Sequence, residues 1–318
     1  VRSSAVAVVI PAYKAQAHIV RVLEGIPELV RHIIVVDDAS PDDTGRLVSE
    51  RNDPRVTLVR HAENQGVGAA VMTGYAKALE LGAEIVVKMD ADDQMDPGRM
   101  MALLGPIVRG DADYAKGNRF LHRRELSDMP FVRRLGNMGL SFLTKLASGY
   151  WNVFDPTNGY TAIHRTALAL LDRERIDRRY FFETNMLIEL GFLRAVVSDV
   201  PMPARYGDET SSLSVKMVLL EFPPRLFRAF VRRITVQYFV RDFTALSVLL
   251  VGGSLLLGFG VAWGAYHWIA YHLIHASAPT GTIMIAVLPI LIGIQMLLQA
   301  VVLDVQGVPQ RPISRQEI

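Results

Sequence analysis

Two uncharged runs toward the C-terminal end limit the possible folds more than any other feature of the chain. Thr244 to Tyr266 carries no formal charge over about 23 residues, roughly 34 Å of helix and enough to cross a bilayer core. Ile283 to Leu303 supplies a second run of about 21 residues. A buried helix of a soluble protein can be this apolar, but two in tandem predict a transmembrane hairpin. The segment between them holds His267, His272 and His275 and no Lys or Arg. Arg232, Arg233 and Arg241 precede the hairpin, and Arg311 and Arg315 follow it. The positive-inside rule then predicts a cytoplasmic location for both termini and for everything before residue 244. Trp263, Tyr266, Trp268 and Tyr271 are expected at the far interface, with the three histidines as interfacial polar residues rather than a metal site. Lys216–Phe243 sets Arg225, Arg228, Arg232, Arg233 and Arg241 among Phe, Leu, Val and Tyr. That pattern predicts amphipathic helices lying in the membrane interface.

Composition narrows the partners. Hydrophobic residues make up 50% of the 318, and the excess sits mainly in the hairpin. Lys and Arg number 34 against 32 Asp and Glu, and a net charge of +2 argues against nucleic-acid binding through bulk electrostatics. The absence of cysteine excludes disulfides and thiolate metal sites and fits a reducing compartment. The apolar run Val6–Ile10 is too short for the core of a signal peptide.

Strand and helix signals alternate through the first part. Ala5–Ile10, Ile33–Val36, Val56–Val59 and Ile85–Met89 read as strands; Ala15–Gly25, Asp42–Arg51 and Gly66–Leu81 read as helices. Repeats of this length predict a mostly parallel, doubly wound sheet whose ligands bind beyond the carboxyl ends of the strands. The expected organisation is an α/β domain over 1–215, interfacial helices over 216–243, two membrane helices over 244–305 and a tail over 306–318.

Acidic clusters fall at two of those strand ends, Asp37-Asp38 and Asp90-Ala91-Asp92. Asp90 and Asp92, one residue apart, with an amide oxygen at Gln94, suit a hard divalent cation such as Mg²⁺ or Mn²⁺ carrying a substrate diphosphate. The alternative is an acidic loop capping the helix that starts near Pro97. Gly66-Val67-Gly68 echoes part of a dinucleotide fingerprint, but it lacks the full spacing and follows the third strand, which argues against NAD.

Val9-Ile10-Pro11-Ala12-Tyr13, Val35–Asp42, Asn64-Gln65-Gly66-Val67-Gly68 and Met89-Asp90-Ala91-Asp92, in this order and followed by a hairpin, resemble a known family. The chain is similar to the family 2 glycosyltransferases of Rossmann-like GT-A fold, in particular those that use polyprenyl phosphates. The resemblance implies a nucleotide-sugar donor, of the UDP-glucose type by the bacterial likeness. It also implies a polyprenyl phosphate acceptor, inverting transfer, and residence in a bacterial-type inner membrane. Pro11, Ala12, Tyr13, Asp37, Asp38, Asn64, Gly66, Lys88, Asp90 and Ala91 would then surround the nucleotide sugar, with Asp90, Asp92 and Gln94 on the metal. Arg119, Arg133 and Asn137 would hold the acceptor phosphate, for which the arginine fork is suited. Asp155, in Asp155-Pro156-Thr157-Asn158-Gly159-Tyr160, would lie by the acceptor or the sugar and count with Asp90, Asp92 and Arg119 as catalytic. Glu183 would touch sugar hydroxyls or serve structure. The chain departs from the family after Pro201: Arg205 is shifted, and no Lys follows Ser211-Ser212. Some relatives form tetramers, and the oligomeric state stays open. A processive polysaccharide synthase would need more spans and a Gln-x-x-Arg-Trp motif, which is absent. The intact Asp90, Asp92 and Gln94 argue against a silent membrane scaffold.

Overall fold

The computed structural model describes residues 5–119, 131–203 and 215–316, apart from the side chains of 131–135, 137 and 215–219. It divides into two compact units, Val1–Phe230 with Pro309–Ile318, and Val231–Val308. The first unit thus takes in most of the segment expected to be interfacial, and the tail rejoins it.

In the first unit the strands are β1 (Val6–Ala12), β2 (Val30–Asp37), β3 (Val56–Arg60), β4 (Ile85–Lys88), β5 (Tyr114–Asn118), β6 (Thr161–His164) and β7 (Val197–Pro201). The helices are α1 (Ile19–Gly25), α2 (Thr44–Ser49), α3 (Val67–Glu80), α4 (Met100–Val108), α5 (Phe131–Ser148), α6 (Arg165–Leu170), α7 (Phe182–Leu193) and α8 (Val215–Thr235), the last running past residue 230. The sheet order is β3-β2-β1-β4-β6-β5-β7, parallel except for β6. Every residue of β1 is buried, because helices cover both faces of the sheet there. The chain winds outward from β1 to β2 and β3, then returns to β4 on the other side. That reversal opens a crevice beyond the carboxyl ends of β1 and β4, where such sheets take ligands.

Backbone strain marks the same rim. Lys14, Ala39 and Asp93, just past β1, β2 and β4, adopt left-handed conformations with φ of 54°, 57° and 61°. Side-chain-bearing residues take that region at a cost, and its recurrence at three strand ends of one crevice points to a shaped binding site.

The first half of α8 packs on this unit. Phe222 is buried with its ring 4.9 Å from that of Phe181, and Arg225 pairs with Asp177 at 2.8 Å. Leu220 and Phe227 on the same helix stay exposed. The tail docks through Asp113, fully buried at the start of β5, whose carboxylate accepts the N–H groups of Ile313, Ser314 and Val196, each at 2.9 Å.

The second unit holds α9 (Ala245–Leu273) and α10 (Thr280–Gln306), both long and apolar enough to cross a membrane. Each outruns the stretch expected from charge, α9 because nothing between Tyr266 and Leu273 breaks a helix. His267 and His272 are therefore helical rather than in the loop. The Arg233 guanidinium, one of the basic residues before the hairpin, is buried on the Asp304 carboxylate, at 2.8 and 2.9 Å.

Candidate active site

The floor of the crevice is built from carboxylates that hold its own loops. Asp37, at the end of β2, is fully buried; Oδ1 accepts the Ser40 N–H at 2.9 Å and Oδ2 lies 3.0 Å from Arg60 Nε. Asp38 accepts the N–H groups of Gln65 and Gly66 at 2.9 and 2.8 Å and meets His61 Nδ1 at 2.7 Å. Asn64 Nδ2 donates to the Asp38 carbonyl at 3.2 Å. Gly66 has φ of 98°, and a Cβ there would lie 2.5 Å from the Arg178 carbonyl. The two aspartates thus hold the turn after β2 and the Asn64-Gln65-Gly66 loop in place by accepting their backbone N–H groups. Pro11 and Ala12 are buried at the end of β1, and Tyr13 is exposed beyond them.

β4 delivers the second cluster. Asp90 is partly exposed, and its Oδ1 lies 2.7 Å from Lys88 Nζ. Asp92 Oδ1 accepts the Gln94 N–H at 3.0 Å, which folds Ala91 to Gln94 into a tight turn. Lys88 is 1% exposed, and its ammonium also reaches Glu183 Oε1 at 3.1 Å. Its partners in the structure are two carboxylates. Burial pushes the Lys88 ammonium down, while Asp90 and Glu183 more than offset this and leave it above the ordinary lysine range. Among the described residues no three His, Cys, Asp or Glu side chains converge on one point. The donor set nevertheless fits a hard cation. Mg²⁺ and Mn²⁺ accept one or two carboxylates with phosphate oxygens and water, and Asp90 and Asp92 offer such oxygens at the crevice mouth.

Arg119 directly follows β5 and is locked by Asp155. Its Nε donates to Oδ2 at 2.8 Å, its Nη2 to Oδ1 at 3.1 Å and its backbone N–H to Oδ2 at 3.3 Å. Asp155 is fully buried, while the Arg119 side chain keeps 39% exposure. Burial pushes the Asp155 carboxyl up, but the Arg119 hydrogen bonds and charge, with Lys116, hold it below the usual carboxylate range. In this geometry Asp155 aims the arginine. Arg133 and Asn137 have side chains outside the described residues, as does the whole of Arg205–Ser212.

The supporting residues were not visible in the motifs. Lys116 on β5 is fully buried and donates to the Asn158 carbonyl. Asp199 on β7, opposite Lys116, accepts from Asn118 Nδ2 at 2.6 Å and from the Phe154 N–H at 2.9 Å, so it grips both flanks of the Arg119–Asp155 pair. The available signal was a lone charge in a strand that is otherwise apolar at its start, Tyr114-Ala115-Lys116. Burial pushes Lys116 down to about 8, only partly opposed by Asp155 and Glu183. Below that pH the folded protein bears the full cost of a buried charge; between there and the unfolded value the unfolded chain holds more protons, so stability rises with pH. Stability is expected to gain about 3 kcal/mol from this group between pH 8 and pH 10.5. In urea titrations Lys116→Met should lack that increment; identical pH profiles would remove Lys116 as its source.

A single loop joins the two halves of the site. Asp155 at its start holds Arg119, and Gly159 near its end lies against the other cluster: a Cβ there would sit 2.4 Å from Lys88 Nζ and 2.7 Å from Asp90 Oδ2.

Comparison with known proteins agrees with this architecture. Residues 7–171 match glycosyl transferase family 2. The UDP-N-acetylglucosamine–dolichyl-phosphate N-acetylglucosaminyltransferase of Methanococcus voltae is 31% identical over 226 residues, covering 66% of this chain and 90% of the relative. The polyprenol monophosphomannose synthase of Mycolicibacterium smegmatis is 32% identical over 187 residues, covering 56% of this chain and 69% of the relative. Glucosyl-3-phosphoglycerate synthase from Mycobacterium tuberculosis, solved with Mn²⁺ and UDP, shares the fold at a TM-score of 0.54 and 21% identity, over 72% of this chain and 80% of that one. The crevice at the β1–β4 reversal, its carboxylate pair and the match across more than half the chain agree: the protein belongs to glycosyl transferase family 2.

Proposed function

We propose that the protein transfers a hexosyl group from a nucleotide sugar to a polyprenyl phosphate at a membrane surface. The observation that carries this reading is the Asp155–Tyr160 loop, which ties a carboxylate pair suited to a donor diphosphate to an arginine suited to an acceptor phosphate. The names of the relatives and the two apolar helices supply the acceptor class. An oxygen of the lipid phosphate attacks the anomeric carbon in line; the bond from that carbon to the nucleoside diphosphate breaks, and the configuration inverts. The phosphate is already anionic near neutral pH, so no strong base is needed, and catalysis rests on positioning and charge. Arg119, aimed by Asp155, orients the acceptor. Arg133 and Asn137 are proposed to complete its phosphate site. Asp90 and Asp92, with Gln94, would hold Mg²⁺ or Mn²⁺, which when bound supplies Lewis-acid charge to the diphosphate. The crevice loops carrying Tyr13, Asn64 and Gly66 shape the nucleotide pocket. α9 and α10 form the membrane hairpin with both ends cytoplasmic; the basic flanks and the return of the tail to the first unit support this topology.

A donor screen tests the proposal. Purified protein in detergent receives undecaprenyl phosphate, Mn²⁺ or Mg²⁺, and in turn UDP-glucose, UDP-N-acetylglucosamine and GDP-mannose. Relatives named for N-acetylglucosamine and mannose transfer put the last two beside the first. Expected is lipid-dependent release of nucleoside diphosphate with one donor, matched by a single-sugar glycolipid. Polymer in place of a single sugar would indicate a processive synthase, and no turnover with any donor would favour a silent scaffold.

A further inference from the structure

Lys88 closes β4 in a strand otherwise made of Ile and Val, and its charge is enclosed on every side the structure describes. Its neighbour in register on β6 is Thr161, which is buried, as are Tyr75 and Tyr114. Above it lies Gly159, where no side chain would fit. Its two carboxylate partners come from different parts of the fold, Asp90 from the turn after β4 and Glu183 from the first turn of α7, 95 residues from Lys88. Enclosed in this way, the ammonium acts on ligands only through those carboxylates. Asp90 Oδ1 is held at 2.7 Å from the ammonium, and its other oxygen lies beside Gly159. Glu183 is 16% exposed, and the same ammonium ties the first turn of α7 to the end of β4.

We infer that Lys88 is a positioning residue, a buried brace that fixes Asp90 and Glu183 as one unit and so sets the donor diphosphate and the sugar in register. The inference rests on the proposed transfer reaction for what the carboxylates hold.

The test separates a brace from a mere neutraliser of buried charge. Removing one member of a buried ion pair is destabilising, whereas replacing both by neutral groups is often tolerated. Lys88→Met should lower the melting temperature, weaken Mn²⁺-dependent binding of UDP or GDP about tenfold, and reduce turnover about 100-fold, the range seen when a partner of a metal-binding group is lost. Lys88→Met/Glu183→Gln should regain the melting temperature while nucleotide binding and turnover stay low. Recovery of nucleotide binding to within about twofold of wild type, together with stability, would overturn the brace. Calorimetric binding is read without lipid, so it decides this point alone. Absence of wild-type glycolipid formation would instead count against the transfer reaction.

Discussion

Asp92→Asn is expected to lower lipid-dependent turnover about 10²–10³-fold while leaving the fold intact, the loss typical of removing one group that stabilises developing charge. Asparagine keeps the side-chain oxygen that accepts the Gln94 N–H, so the turn after β4 survives and the melting temperature should hardly move. What disappears is one of the two negative charges assigned to the proposed cation site. Nucleotide binding should then lose its dependence on Mn²⁺, measured by calorimetry with and without the ion. Asp90→Asn should differ in kind. Asp90 is the charge partner of an enclosed lysine, so neutralising it costs stability as well as turnover. Turnover of Asp92→Asn within tenfold of wild type would remove Asp92 from the metal set. Equal melting temperatures for the two variants would show that Lys88 does not depend on Asp90.

The contrast also shows what a linear reading could and could not reach. The carboxyl ends of the strands were legible because β-branched runs stop there at polar residues: Ile33–Val36 ends one residue on, at Asp37, although β2 starts three residues earlier through Arg31 and His32, and Ile85–Met89 ends at Lys88. Parallel strand–helix units imply the crevice, since the chain must reverse somewhere along such a sheet. The pairings were hidden. Arg119 and Asp155 are 36 residues apart, and Lys88 and Glu183 are 95 apart; no local period links them. Antiparallel β6 sits between β4 and β5, and this insertion brings the Asp155–Tyr160 loop to both clusters. Asp37 and Asp38 share a composition with nucleotide contacts, but the donors around them come from backbone N–H groups and from side chains more than 20 residues away, which composition does not report. Helix α9 runs past Tyr266 to Leu273 because the histidines expected in the connecting loop do not break a helix.

Arg119→Ala and Asp155→Asn are expected to lose the same activity and different amounts of stability. Both remove the fork that aims the guanidinium, and a displaced acceptor phosphate costs turnover about 100-fold. Stability divides by burial. Arg119→Ala leaves a fully buried carboxylate without its main cation, a loss of about 3 kcal/mol, whereas Asp155→Asn frees an arginine that already reaches water, a loss nearer 1 kcal/mol. The pH dependence follows from the depressed Asp155 carboxyl: its stabilisation is complete above the unfolded carboxylate range and is lost as pH falls through the lower folded value. The gap between wild type and Asp155→Asn should therefore hold at pH 7 and shrink below about pH 4, followed by urea titration. KM for the lipid phosphate should rise in both variants, with KM for the nucleotide sugar changed far less. If both constants rise equally, Arg119 does not serve the acceptor. If the two variants lose equal stability, Lys116 and the surrounding loop, not Arg119, carry the buried carboxylate.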